Sequence, residues 1–317
     1  MLPVALLEVS QLRVRFGSTE VVRGVSFELD RGETLGVVGE SGCGKSMTGH
    51  ALMGMVPRPG VVSGSVRLEG KELIGLPEAA WRKIRGSQIA LVMQDPFASL
   101  NPVMRVGDQI AEVLEVHRSW PRRQARAEAV RLLRQVGVPE PETAARKYPH
   151  QMSGGQRQRV VIAAAFACRP RVLIADEPTT ALDVTLQAQI LRLIEELQEQ
   201  EGTAVLLISH DIGVVAAVSD RVAVFYAGRI VETGAAEEVL RRPRHPYAQA
   251  LLAAMPRPGA DRLPTIPGQP PSFEDLPKGC PFGPRCPRRT AACDTEPGLA
   301  RVGAGWAACW LAAEGAS

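Results

Sequence analysis

Eight consecutive residues, Gly39-Glu40-Ser41-Gly42-Cys43-Gly44-Lys45-Ser46, have the types and spacing needed to hold a chain of phosphates. The glycines let successive backbone N–H groups converge on phosphate oxygens, and the following helix turns its positive N-terminal end toward them. In such a loop Lys45 reaches the β- and γ-phosphates and the Ser46 hydroxyl ligates Mg²⁺, with Met47 continuing the run. An accidental glycine-rich turn is the plain alternative. A strand-like run before the loop and a helical one after it argue against that. A second group of residues complements the first. The apolar run Val172-Leu173-Ile174-Ala175 delivers Asp176 and Glu177, adjacent carboxylates that cannot face the same way on an extended backbone. Asp176 suits the Mg²⁺ side, and Glu177 suits the base that takes a proton from an attacking water. Alone, an Asp-Glu pair after a strand is most often a solvated strand end. Together with a phosphate loop it reads as a hydrolytic site.

Such residues need rigid elements to hold them. Short β-branched runs at 34–38, 89–93, 172–175 and 204–208 alternate with helical stretches and predict buried parallel strands. Two of them end directly in polar residues, which is where open α/β sheets place ligands. Strand-like pieces at 12–16, 21–29 and 66–68 predict an antiparallel layer beside the main sheet, and a helical subdomain is expected over about 95–168. Within it Arg122, Arg123, Arg126, Arg131 and Arg134 predict a solvated helix face. Composition changes near residue 240, because 13 of the 25 prolines fall within 243–297 and four of the six cysteines within 280–309. A segment of that kind holds neither a long regular helix nor a central strand. The sequence therefore predicts a nucleotide-binding domain over 1–240 and a small irregular Pro/Cys-rich domain over 241–317 that needs a staple. No internal repeat is found, so one nucleotide-binding unit is expected.

Composition narrows the function. With Lys+Arg 37 against Asp+Glu 34, the net charge of +3 over 317 residues gives no support to a strongly basic nucleic-acid binder. The 45% apolar content excludes wholesale disorder. Met1 to Leu7 is apolar but short, without a basic leader or a cleavage site, so no signal peptide is expected. The longest apolar run, 160–168, is far below the roughly 20 residues a membrane-spanning helix needs. A cytosolic chain follows, in which thiols stay reduced. Cys280, Cys286, Cys293 and Cys309 then read as a four-cysteine metal site, because so small a segment offers little burial to four unlinked thiols. Zinc usually shows a tight C-x₂₋₄-C knuckle, which the spacings of five, six and fifteen intervening residues lack. Proline directly after Cys280 and Cys286 weakly echoes ferredoxin-type ligation, and both metals stay open at this point.

Ser153-Gly154-Gly155-Gln156 gives the phosphate loop a particular setting. Here the sequence resembles the ATP-binding subunits of ABC transporters, over nearly the whole chain. The resemblance implies a P-loop ABC ATPase of α/β class: a parallel sheet core, an antiparallel β layer and a helical subdomain, followed by the small Cys-rich domain. It implies that Ser153, Gly154, Gly155 and Gln156 are the signature that meets the γ-phosphate bound by the opposite subunit. Gln94 corresponds to the glutamine that senses Mg²⁺ and the attacking water. Ala181-Leu182-Asp183 corresponds to the loop crossing the dimer interface, and His210 to the switch histidine at the γ-phosphate. Phe16 stands where an aromatic ring stacks on adenine; the family more often has Tyr there, but stacking needs only the π-face. Glu177, His210, Gln94 and Lys45 are thereby the expected catalytic residues.

The stretch from Gln94 to Pro102, then Tyr148-Pro149-His150, His245-Pro246-Tyr247 and Thr265-Ile266-Pro267-Gly268, resembles the dipeptide/oligopeptide importer branch. So does Gly279-Cys280-Pro281-Phe282 with Arg285-Cys286-Pro287. That branch implies a peripheral subunit at the cytoplasmic face of the cell membrane. Its expected partners are a paralogous second ATPase, two transmembrane permease subunits and an extracytoplasmic peptide-binding protein, with no nucleic acid. The branch also implies a structural 4Fe–4S cluster at the four cysteines, with zinc as the alternative. Nothing in the residues contacts a peptide, so an importer of another solute, such as nickel, is the nearest rival. An ABC protein of DNA repair or translation is more remote, since it needs a coiled-coil insertion, a basic face or a second cassette. A non-hydrolysing regulatory cassette would be expected to lose Glu177, His210 or the signature glycines, and all are present.

Overall fold

The computed structural model describes residues 5–180, 182–255 and 265–314. Met1 to Val4 of the apolar start and Ala181 of the expected interface loop lie outside the described residues. The chain forms two compact units, one of residues 1–29, 33–75 and 207–317, the other of 30–32 and 76–206.

The first unit opens with β1 (Leu7–Phe16) and β2 (Thr19–Leu29), followed by β3 (Thr34–Val38), α1 (Lys45–Leu52), β4 (Val61–Leu68) and β5 (Lys71–Glu72). Four of these strands make the antiparallel layer in the order β2-β1-β4-β5. In β1 the inward residues are Leu7, Val9, Leu12 and Val14. The alternation skips a position there because Gln11 takes φ 49 and the register shifts between Val9 and Leu12, a bulge that returns the apolar side to the core.

The second unit carries α2 (Glu78–Ile84), β6 (Ile89–Val92), α3 (Pro96–Ser99), α4 (Val106–Arg118), α5 (Arg122–Gln135), α6 (Pro141–Ala144), α7 (Gly154–Phe166), β7 (Val172–Asp176) and α8 (Val184–Glu201). Strands β6 and β7 pair in parallel. All five residues of β7 are buried, as expected for an interior strand with both faces covered. The five arginines of α5 are exposed, and Ala125, Ala129, Leu132 and Leu133 form its buried stripe.

Strand β8 (Ala204–Ser209) leads the chain back to the first unit, which continues with α9 (Ile212–Val218), β9 (Arg221–Tyr226) and β10 (Arg229–Ala235). After α10 (Ala236–Arg241) and α11 (Pro246–Ala253) come β11 (Ala300–Val302), β12 (Gly305–Ala307) and α12 (Trp310–Glu314). Here the strands run β11-β12-β10-β9-β3, with β3 and β9 parallel. Residues 300–307 thus extend a sheet begun before the phosphate loop. The core of this segment is aromatic: Tyr226, Tyr247 and Phe282 pack with ring centroids 4.6–5.4 Å apart. Beneath them Glu232 is fully buried and accepts the backbone N–H groups of Arg244 and His245. Burial raises its pKa.

Candidate nucleotide-binding site

In the first unit β3 runs fully buried into the phosphate loop. Gly39 has φ 157, and a Cβ there would lie 2.3 Å from the Phe225 carbonyl oxygen and 2.9 Å from Cys43 Sγ. Gly44, at φ 103, precedes α1, and a Cβ would lie 2.7 Å from the Val21 carbonyl oxygen. Backbone on the far side therefore demands glycine at both positions. Lys45 is 4% exposed, and its Nζ donates to the carbonyl oxygens of Gly39 at 2.7 Å and Glu40 at 3.0 Å. The ammonium is thus placed inside the loop by the loop's own backbone. Cys43 is buried beside it; burial pushes the thiol pKa up and the Lys45 charge pulls it back.

Ser41, Gly42 and Ser46 are exposed, and Met47 is half-buried. Phe16 ends β1, half-buried, with its ring edge against Gly60, where a Cβ would come within 2.8 Å. His210 follows β8 and is exposed, while Asp211 caps α9 by accepting the N–H groups of Gly213 and Val214. A cavity of about 530 Å³ has residues 40–43 and residues 270–274 among its lining.

The second unit holds the remaining expected residues. Gln94 is exposed in the bend between β6 and α3. Ser153 caps α7 reciprocally: Gln156 N–H donates to Ser153 Oγ, and Ser153 N–H donates to Gln156 Oε1. Gly154 and Gly155 open that helix, and a Cβ on Gly155 would meet Leu186 Cδ2 at 2.5 Å. The start of this 13-residue helix presents backbone N–H groups and the positive end of its dipole, the features that suit an anion. Asp176 ends β7 at 9% exposure. Glu177 follows at φ 48, and its Oε2 accepts a hydrogen bond from Thr180 Oγ1 at 2.8 Å. Asp183 caps α8 through the Leu186 N–H. The donors expected for Mg²⁺, at Ser46, Gln94 and Asp176, are all oxygens, the set this hard cation takes.

The four cysteines correct an expectation. Among the described residues no group of three or more His, Cys, Asp or Glu side chains is placed to hold a metal ion. The thiols still share a neighbourhood. Cys280 N–H donates to the Cys293 carbonyl oxygen, and Cys280 and Cys286 both feel Cys293 and Cys309 electrostatically. Burial raises the pKa of Cys280 and Cys286. As placed, the four do not form a ligand shell.

Sequence reasoning missed what the segment after residue 240 does at the phosphate loop. Glu40 N–H donates to Tyr247 Oη at 2.8 Å, and Arg285 grips the Glu40 carboxylate through both terminal nitrogens, at 2.7 and 3.0 Å. Only the His-Pro-Tyr and Arg-Cys-Pro motifs drew notice to these residues, and neither motif points to position 40.

Comparison with known proteins bears on the same residues. A family model described as "ABC transporter" matches residues 22–180, and one described as "Oligopeptide/dipeptide transporter, C-terminal region" matches residues 231–293. The "Oligopeptide transport ATP-binding protein OppD" of Haemophilus influenzae is 50% identical, over 98% of this chain and 98% of its own. The "Dipeptide transport ATP-binding protein DppD" of Bacillus subtilis is 47% identical, over 96% and 94%. Among solved structures, a dimeric ATP-binding cassette in a post-hydrolysis state, bound to ADP and Pi, superposes with a TM-score of 0.65 at 26% identity. That match covers 73% of this chain and 98% of the cassette.

Proposed function

The chain belongs to the ABC transporter family, and from that premise we propose that it is the ATP-hydrolysing subunit of a peptide importer. The observation that carries the reading is identity near one half, over nearly full length, to relatives named for oligopeptide and dipeptide transport. We assign phosphate binding to the loop from Gly39 to Ser46 and Met47, with Lys45 supplying positive charge and Phe16 stacking on the adenine. Ser46, Gln94 and Asp176 would hold Mg²⁺, which would supply positive charge to the phosphates when bound. Glu177 takes the proton of the attacking water, and His210 contacts the γ-phosphate. Ser153, Gly154, Gly155 and Gln156 act on the nucleotide of a second ATPase subunit, and Asp183 lies at the interface with it. Nucleotide-driven closure of that pair would be transmitted to two transmembrane permease subunits fed by an extracytoplasmic peptide-binding protein. Among the described residues no helix is long and apolar enough to cross a membrane, so attachment through those permeases at the cytoplasmic face is the arrangement that fits.

Along the sequence we divide the chain into a nucleotide-binding domain, 1–240, with its helical subdomain at about 95–168, and a Pro/Cys-rich C-terminal domain, 241–317. The C-terminal family match over 231–293 supports the second part. A 4Fe–4S cluster or zinc at Cys280, Cys286, Cys293 and Cys309 would require these side chains to rearrange from the positions described above. No step of hydrolysis runs through them. Anaerobic purification separates the cases: iron with acid-labile sulfide, one zinc per chain, or neither.

The function is tested by reconstituting the assembled importer in vesicles and following labelled di- and oligopeptides. ATP-dependent uptake that stops with Glu177→Gln supports the reading. Uptake of nickel but no peptide, or co-purification with nucleic acid in place of permeases, overturns it.

A further inference from the structure

Glu40 is a non-glycine residue inside the phosphate loop, and every polar group it owns is engaged. Its N–H donates to Tyr247 Oη, and its carbonyl oxygen accepts from Lys45 Nζ and from the Cys43 N–H. Its carboxylate takes a two-point hydrogen bond from Arg285, whose side chain is only 5% exposed. Two parallel charge-assisted bonds fix orientation as well as distance.

Arg285 is itself fixed from behind. Its Nε donates to the Pro267 carbonyl oxygen at 2.8 Å and one terminal nitrogen donates to Tyr226 Oη at 3.2 Å. Its guanidinium lies 5.8 Å from the Tyr226 ring centre and 5.9 Å from that of Phe282. A rigid chain of contacts therefore runs from the Cys-rich segment through Arg285 and Glu40 to Lys45. The same segment supplies residues 270–274 to the lining of the cavity that residues 40–43 also line.

We propose that Arg285 is a positioning residue for ATP binding, holding the phosphate loop through Glu40 in the form that places Lys45. The inference rests on the ATPase reading above. Without Arg285 the half-buried Glu40 carboxylate loses its two-point partner and turns further toward water, taking the loop backbone and the Lys45 acceptors with it. Bound phosphates reorder the loop at their own expense, so the loss falls on nucleotide affinity more than on turnover.

The test uses the full chain in the assembled importer and measures equilibrium ATP binding and steady-state hydrolysis for wild type, Arg285→Gln, Arg285→Lys, Glu40→Gln and the Arg285→Gln/Glu40→Gln double variant. Arg285→Gln is expected to raise the KM and Kd for ATP about tenfold with a smaller change in kcat, the split expected when only the ground-state order of the loop is lost. Arg285→Lys, which keeps charge but not the fork, should fall between the two. Glu40→Gln approaches the same pair from the loop side and serves where Arg285→Gln folds poorly. The double variant should be no weaker than the worse single one, because both changes break one interaction. Unchanged ATP affinity alongside a lowered Tm would reduce the pair to a fold contact and overturn the proposal, as would additive losses in the double variant. A wild type that binds no ATP would instead overturn the ATPase reading, and the inference with it.

Discussion

Glu177 occupies a left-handed backbone conformation, φ 48, that costs a residue with a Cβ about 1–3 kcal/mol. Strain of this kind persists where the surroundings over-determine it, and here Thr180 Oγ1 holds the carboxylate by a hydrogen bond. Glu177→Gln keeps shape and hydrogen-bond length while removing the basic oxygen. It is expected to retain ATP binding and lower turnover by roughly 10²–10⁴-fold in single-turnover measurements on the assembled complex. Another residue answers to pH. Burial depresses the His245 pKa to about 4 from an ordinary 6.5, so the folded chain holds this imidazole neutral. Its Nδ1 accepts the Tyr247 N–H, a role only the neutral ring can fill. Between pH 6.5 and 4 the unfolded chain binds the extra proton, and stability falls with falling pH by roughly 3 kcal/mol in all. His245→Asn keeps an acceptor for that N–H and cannot titrate, so thermal unfolding from pH 7.5 to 4.5 should show a flatter acid limb than wild type. The Asp-Glu pair was legible because a continuous apolar run ends at it. The strain on Glu177 was not, since φ is set by contacts the sequence does not display.

At the scale of elements, the phosphate loop depends on how closely β3 and β9 approach where they meet it. Gly39→Ala would drive a Cβ against the Phe225 carbonyl oxygen, which is backbone and cannot swing aside as a side chain would. A loss on the order of 3 kcal/mol is expected, together with loss of nucleotide binding, measured by thermal unfolding and ATP titration. The interior strands could be read to within a residue or two, as at 34–38 and 204–208, because buried parallel strands are written as unbroken β-branched runs. The β9–β10 hairpin escaped the reading although its turn, Ala227-Gly228 with φ 46 and 80, is of the tight hairpin kind. Strands β11 and β12 have three residues each, too few to show a period. β11 takes its shape by pairing with β12, and β12 by pairing with β10, a partner about 70 residues earlier that no local pattern announces.

For the whole molecule, the motifs were more legible than the contacts around them. Motif residues announce the groups proposed to meet the nucleotide; contacts that hold the phosphate loop are made by segments remote in sequence. In the proposed assembly this subunit's phosphate loop is completed by donors from a partner, so the isolated chain is expected to be a poor ATPase and the importer a much better one, as steady-state hydrolysis would show. Ser153→Arg should damage hydrolysis at the partner's loop more than at its own. Loss of nucleotide from its own loop, with the partner's intact, would exclude action across the pair. The Arg285–Glu40 contact joins residues 245 positions apart. A ribosome making this chain emits the phosphate loop early, and at roughly 5–20 residues per second the guanidinium that grips it follows some tens of seconds later. During that interval a nascent chain carries the loop without its clamp. Chains broken off before residue 285 would keep every nucleotide motif yet lack the grip, and so would compete poorly with intact copies for ATP.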